Sequence, residues 1–324
     1  MTTAQHPPLD VAVARALESA GEEVVVGMRD EDIATLRAKA VPVPEVEVTR
    51  HGTYERADLT FPSAADGAPV TVVLLRPVRR SRSPLPVLVH LHGGGLVVGG
   101  PFDDLSATLD MADRTGCAVA TVDYRLAPEH PYPIPMLDCA SALRGLHAEA
   151  RHWQLDPERF VLTGVSAGGG LAAAVALHVR DHGGPALLGQ LLVCPMLDDR
   201  NDSHSAHQMH GVGSWDRSAN AVAWRAYLGE AAGGPNVSLY AAAGRALDLG
   251  GLPPTYIDVA SVETFRDECV DYARLMGRCG GDAELHGWPG GHHAFDFLAP
   301  WTPLAQDARA ARLAWLRRLL TRRP

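Results

Sequence analysis

Short apolar runs and longer stretches of helical period alternate along most of this chain. Residues 87–91 and 118–123 are nearly continuous apolar runs, the mark of strands covered on both faces of a parallel sheet, and 105–114 between them has helical character. The alternation continues with a helix predicted over 136–149, a strand over 160–163, a helix over 171–179 and a strand over 190–194. It resumes with a strand over 255–259, a helix over 268–279, a strand over 283–288 and a final helix over 303–320. In that last helix Leu304, Ala308, Ala311, Trp315 and Leu319 recur at helical spacing, Thr302 is placed to cap it, and Pro303 suits its first turn. Such alternation predicts an α/β fold, a mostly parallel central sheet with helices on both faces. Ahead of it, 46–54 and 70–76 read as two more strands, and 10–19 and 30–40 as two helices separated by 21–27. Residues 79–86 read as a polar, proline-bounded surface loop.

One segment breaks the rhythm. Between Asp198 and Leu252 no strand can be placed, and a helical stretch at 218–228 sits among polar loops; an insertion of that length is usually functional. The expected organisation is therefore a catalytic body over 46–197 and 253–324, with 1–45 and 198–252 contributing a helical cap. A chain of 324 residues suits one large α/β domain with such an appendage, or two ordinary domains. Its net charge of −9 argues against a nucleic-acid or anionic-membrane partner, and no apolar run reaches transmembrane length. Lys39 is the only lysine, a bias that with the many Ala and Gly fits a G+C-rich genome better than a function. The N-terminal stretch lacks the basic-then-apolar build of an export signal. The five cysteines are scattered with no C-x-x-C, the pattern of buried reduced thiols, so a cytoplasmic location is expected.

The chemistry is concentrated in three places. Gly164-Val165-Ser166-Ala167-Gly168 fits the G-x-S-x-G elbow, in which a tight strand-to-helix turn lifts a serine hydroxyl clear of the backbone. Alone it is as well explained by a glycine-rich helix start that packs closely or binds an anion. His92-Gly93-Gly94-Gly95 directly follows the strand at 87–91, where amides of Gly93 and Gly94, with that of Ala167, would stabilise an oxyanion. A serine nucleophile also needs a base and an acid that orients it, in the chain order Ser, acid, His. The loop after the last strand offers His292 and His293, and the segment after 255–259 offers Glu263, Asp267 and Glu268.

Taken together, His92–Gly95, Asp123-Tyr124-Arg125-Leu126-Ala127-Pro128-Glu129, Gly164–Gly168 and Phe265-Arg266-Asp267-Glu268 strongly resemble the hormone-sensitive-lipase-like branch of the α/β hydrolases. The resemblance runs from about Val70 to the C-terminus. It implies a carboxylesterase acting on short acyl chains through an acyl-enzyme, without cofactor or metal, under a cap built from the N-terminus and the insertion after the sixth strand. It marks Ser166 as nucleophile, Gly93, Gly94 and Ala167 as oxyanion donors, and His293 rather than His292 as base. Glu263 stands where the family usually has Asp. Position agrees: Glu263 lies four residues past the strand at 255–259, whereas Asp267 and Glu268 fall at the next helix start, where Asp267 suits the helix terminus or a pair with Arg266. Val165 and Gly170 depart from the acidic and amide residues common at those places.

Other tempting residues have plainer readings. Asp123 and Glu129 belong to a structural loop motif by the same resemblance, and His90 reads as a packed, hydrogen-bonded strand residue. His204, His207 and His210 beside Asp198, Asp199 and Asp202 could hold a metal, but their spacing drifts around a helix, and a solvated cap loop reads better. Trp215, Trp224 and Tyr227 either wall a substrate pocket or pack the cap on the body. The expected partner is a small-molecule ester, with a homodimer left open. Alternatives are a deacetylase or thioesterase of a secondary metabolite, or a non-hydrolytic receptor, lyase or cyclase; the presence of both Ser166 and His293 argues against the last group.

Overall fold

A computed structural model of the chain describes residues 6–21, 25–79 and 83–322. Its strands are β1 (Tyr54–Pro62), β2 (Pro69–Pro77), β3 (Leu85–Leu91), β4 (Ala118–Asp123), β5 (Leu155–Val165), β6 (Gly189–Val193), β7 (Thr255–Val262) and β8 (Ala283–His292). They form one sheet in the order β1-β2-β4-β3-β5-β6-β7-β8. β1 and β2 pair antiparallel, as do β2 and β4, and all other neighbours pair in parallel.

Apolar residues on both faces of each central strand produce two cores. Val87, Val89 and Leu91 of β3 join a core with α5 (Ile134–Ala148), α6 (Ala167–Asp181) and α9 (Arg266–Arg278). Leu88, with Val119, Val161 and Leu191 of neighbouring strands, faces α4 (Leu105–Thr115) and α11 (Pro303–Thr321), whose Leu109, Trp315, Leu316 and Leu319 complete the second core. A continuous apolar run thus serves two helix layers at once, which is why it carries no alternation. Thr302 accepts from the Ala305 amide at the start of α11, as its position in the sequence suggests.

Near the N-terminus are α1 (Val11–Ala20), capped by Asp10, and α2 (Asp32–Ala38). Residues 22–24, inside the expected linker, and 80–82, inside the expected 79–86 loop, lie outside the described residues, and β3 already begins at Leu85. The strand expected over 46–54 does not form. Glu45–Val48 makes one helical turn instead, α3, and Arg50, His51 and Gly52 all take positive φ (48°, 54° and 81°), reversing the chain before β1 starts at Tyr54. The alternation of Val46 and Val48 misled here: Val48 is buried but Val46 is half exposed.

Segment 198–252 contains α7 (His204–Gln208) and α8 (Arg217–Leu228) and no strand of the sheet. The N-terminal segment sits against it. Val25 donates to the Ser214 carbonyl, the Gly27 amide donates to Asp216, and Arg225 pairs with Asp30. The last helix before α11 is the short α10 (Phe295–Leu298).

Candidate active site

Strand order reverses at β3, because β4 lies on one side of it and β5 on the other. At such a switch point the loops leaving neighbouring parallel strands diverge and open a crevice at the carboxyl edge. The two glycine-rich motifs leave β3 and β5, so both open into that crevice.

Ser166 follows β5 with φ 56° and ψ −119°, a left-handed-side conformation that an L-residue holds only when its surroundings impose it. Its amide donates to the Val193 carbonyl, and its own carbonyl accepts from Met196 and Gly170. The flanking glycines are steric necessities. A Cβ at Gly164 would lie 2.3 Å from the Gly168 backbone, and one at Gly168 would lie 1.9 Å from the Leu91 carbonyl oxygen. Glycine there lets α6 start at Ala167, earlier than the apolar pattern from Leu171 suggests, and pack against the end of β3. Gly170 is equally constrained: a Cβ would fall 2.0 Å from the Met196 carbonyl oxygen.

His293 follows β8 directly. Its Nε2 lies 3.0 Å from Ser166 Oγ, and its Nδ1 lies 3.0 Å from each oxygen of Glu263. β7 runs on to Val262, so Glu263 is the first residue past the strand rather than the fourth. Glu263 is fully buried and also accepts the Phe265 amide; the Phe265 ring meets the imidazole edge-on at 5.1 Å. Burial pushes the His293 pKa down, but the Glu263 carboxylate, joined by the neighbouring Cys194 sulfur, outweighs it and holds that pKa well above a free histidine's. His292 is a support: its Nδ1 contacts the His293 carbonyl and Ser214 Oγ, and burial keeps it neutral. The remaining acids lie elsewhere. Asp267 accepts the Ser205 amide and pairs with Arg266, and Glu268 accepts the amides of Leu197 and Asp198.

The glycine loop departs from expectation at one position. The Gly93 amide donates to Asp104 Oδ2 at 2.8 Å, and the other Asp104 oxygen accepts from His90 Nε2 at 2.8 Å. Burial raises the Asp104 pKa, but His90, backed by Thr108, and the amide prevail and keep it below the ordinary range. Gly93 is therefore already engaged by a carboxylate and is not a free donor. The Gly94 and Gly95 amides have no acceptor among the described residues. Both glycines have positive φ, and a Cβ on Gly95 would lie 2.5 Å from the Trp215 ring. His92 anchors the loop from below, stacked on Tyr124 at 4.2 Å, with burial lowering its pKa to about 4.

Segment 198–252 reaches the site through Ser214, which donates to the His293 carbonyl at 2.6 Å, and through Trp215, whose ring is 6.5 Å from that of His293. Thr264 ties the Trp215 carbonyl back to the β7 loop. Trp224 and Tyr227 pack instead against one another and, through Tyr227, against Tyr132. Ser166 is 5% and His293 8% exposed, so the pair is nearly enclosed. The suspected histidine cluster does not gather: His207 pairs with Asp202, His210 approaches Ser218, and Asp198 and Asp199 face Arg200 and Arg245. Among the described residues, the donor atoms of one His/Cys/Asp/Glu set do converge, those of Cys194, Glu263 and His293. Asp104 and Cys194 were missed from sequence, since no spacing rule links them to the elbow. Gly95 was read as part of the glycine motif but not as a donor, and of the three aromatic residues weighed as pocket wall or packing, Trp215 is the one beside His293.

Residues 88–297 match a protein family described as having the alpha/beta hydrolase fold. The chain is 31% identical to the esterase LipI of Mycobacterium tuberculosis, over 98% of each chain. It is 36% identical to the carboxylesterase NlhH of the same organism, over 74% of this chain and 75% of that one. Among solved structures, a bacterial heroin esterase superposes with a TM-score of 0.87 at 33% identity, covering 97% of this chain and 98% of the other. No helix among the described residues is long and apolar enough to cross a membrane.

Proposed function

This chain belongs to the α/β-hydrolase family, in its hormone-sensitive-lipase-like branch of carboxylesterases, and from that premise we propose that it cleaves short acyl esters through a Ser166–His293–Glu263 triad and an acyl-enzyme. One observation carries the reading: a single imidazole bridges Ser166 Oγ and the Glu263 carboxylate, with 3.0 Å contacts on both sides.

His293 Nε2 accepts the Ser166 proton as Oγ attacks the ester carbonyl, and Glu263 stabilises the imidazolium that forms. The oxyanion is held by the amides of Gly94, Gly95 and Ala167, the last at the positive end of α6; Gly93 serves by fixing the loop to Asp104. His293 returns the proton to the leaving alcohol, and water then repeats the sequence on the acyl-enzyme. Residues 1–45 and 198–252 act as the cap, and Trp215 is the wall nearest the reacting atoms. The near-complete enclosure of Ser166 favours small acyl groups, about two to eight carbons long. The name heroin esterase on a structural neighbour fits the same class of compact ester.

The test is direct. Ser166→Ala is expected to fold normally and lose essentially all turnover on a p-nitrophenyl ester series, and a phosphonate reagent is expected to label Ser166 alone. Near-wild-type hydrolysis by the alanine variant ends the proposal.

A further inference from the structure

Cys194 has no role in the hydrolysis proposed above, yet its thiol stands among the residues that do. It follows β6 directly, at φ 37°, with its amide donating to the Asp258 carbonyl at 2.8 Å. Its sulfur, a ring nitrogen of His293 and an oxygen of Glu263 all lie within 4.8 Å of one another. All three side chains are buried. Among the described residues no other three side chains of these types bring their donor atoms so close.

One sulfur, one imidazole nitrogen and one carboxylate oxygen are a zinc-type ligand set. Ligand atoms around tetrahedral zinc are separated by about 3.5 Å, so the 3.0 Å spacing of Nδ1 from the Glu263 oxygens and the upper limit of 4.8 Å for the set bracket that value, and small side-chain shifts assemble the site. Magnesium and calcium want six or more oxygen ligands and find one carboxylate here. We propose that Cys194, His293 and Glu263 form an inhibitory site for a borderline or soft divalent cation of the Zn2+ type. The inhibition, though not the site, rests on the reading of His293 as base.

The proton balance explains the inhibition. In the active form, above the pKa of His293, the neutral imidazole carries its proton on Nδ1, towards Glu263, and presents Nε2 to Ser166. Binding breaks the Cys194 S–H and His293 Nδ1–H bonds, forms metal–sulfur, metal–Nδ1 and metal–Glu263 oxygen bonds, and places the imidazole proton on Nε2. One proton is released to solvent. An Nε2 that bears a proton cannot take another from Ser166, so the nucleophile stays unactivated.

The experiment uses the full chain, freed of metal with a chelator, and titrates Zn2+ against ester hydrolysis and Co2+ against the absorption spectrum. Zinc is expected to inhibit reversibly, magnesium to have no effect, and cobalt to give a thiolate charge-transfer band. In Cys194→Ser and Cys194→Ala, each compared with its own untreated rate, half-inhibition is expected to need at least about tenfold more zinc, and the band is expected to vanish. Surface histidines and carboxylates remain in both variants, so unchanged zinc sensitivity there overturns the proposal. So does an uninhibited parent enzyme, or a cobalt band that survives loss of Cys194. An untreated chain that hydrolyses no ester counts instead against the esterase mechanism, and the cobalt spectrum still tests the site.

Discussion

At His293 two opposing surroundings set the pH range of the enzyme. Burial disfavours the imidazolium, while Glu263, foremost, and the Cys194 sulfur favour it and prevail. Only the neutral imidazole can accept the Ser166 proton, so kcat/KM rises as pH climbs through this pKa and falls below it. A pKa raised above the free value of about 6.5 places the acid limb of the metal-free enzyme above that pH. In Glu263→Gln the carboxylate is gone while the burial stays, so the limb is expected to move to lower pH. The plateau should drop on the order of a thousandfold or more, because a neutral amide neither fixes the tautomer nor stabilises the imidazolium. Asp267→Asn, away from the imidazole and bonded to Ser205 and Arg266, should leave the limb in place. A pH–rate series on the three proteins checks this; an unmoved limb in Glu263→Gln breaks the assignment. Turn sterics singled out Ser166 and chain order narrowed the base and acid to a few candidates, and the family resemblance, with position for Glu263, chose His293 and Glu263 among them. Which glycine amides are free was not legible. That depends on Asp104, eleven residues beyond Gly93, whose carboxylate reaches back to the loop through tertiary packing.

Strands and helices of the body were legible because the central strands are apolar on both faces and helices such as α4 and α9 have one buried side, whereas α6 is buried all round from Ala167 to Leu177. Element ends were not. β5, β7 and β8 all extend beyond the apolar stretches read from sequence, since strand pairing runs on through glycine and polar positions such as Gly164, Gly287 and His292. The polar anchor of α11 was equally hidden. Arg312, nearly fully buried, donates to Asp258 of β7 at 2.6 Å and to Asp296 of α10 at 2.5 Å. It thereby clamps the final helix under the loop that carries His293, and the two carboxylates hold its guanidinium charged against burial. Replacing it with leucine leaves two buried carboxylates without their cation, and such a break costs about 3–5 kcal/mol. Arg312→Leu is expected to lose stability on that scale in urea unfolding, with the slope of the transition retained. A loss under 1 kcal/mol means that Arg309, 3.6 Å from Asp296, or water takes over.

For the molecule as a whole the question is how substrate reaches a serine that is 5% exposed. The N-terminal segment and 198–252 pack Met28, Ile33, Trp215 and Trp224 into the main core and are further held by polar ties. Among them Arg37 of α2 is central: its guanidinium donates to the carbonyls of Val97 and Ala127, each at 2.6 Å, and pairs with Glu129. These bonds join the N-terminal helices to the stretch just after the glycine loop. The charge-assisted bonds to the two carbonyls contribute about 1.5–3 kcal/mol each, and the more exposed pair with Glu129 about 0–1, a scale on which local opening of α2 can be altered by one substitution. Arg37→Ala removes all three ties without touching the sheet, the elbow or the imidazole. Global unfolding is therefore expected to change little, while hydrogen exchange quickens in α2 and in the loop after Gly95. A looser cover admits longer acyl chains, so the rate on a p-nitrophenyl decanoate relative to the acetate should rise several-fold, chiefly through KM. The acetate kcat, set by Ser166, His293 and the loop amides, should stay within a factor of a few. If α2 loosens in exchange and the chain-length preference does not move, the acyl pocket is bounded by Trp215 and the body alone, and the N-terminal helices are no part of its wall.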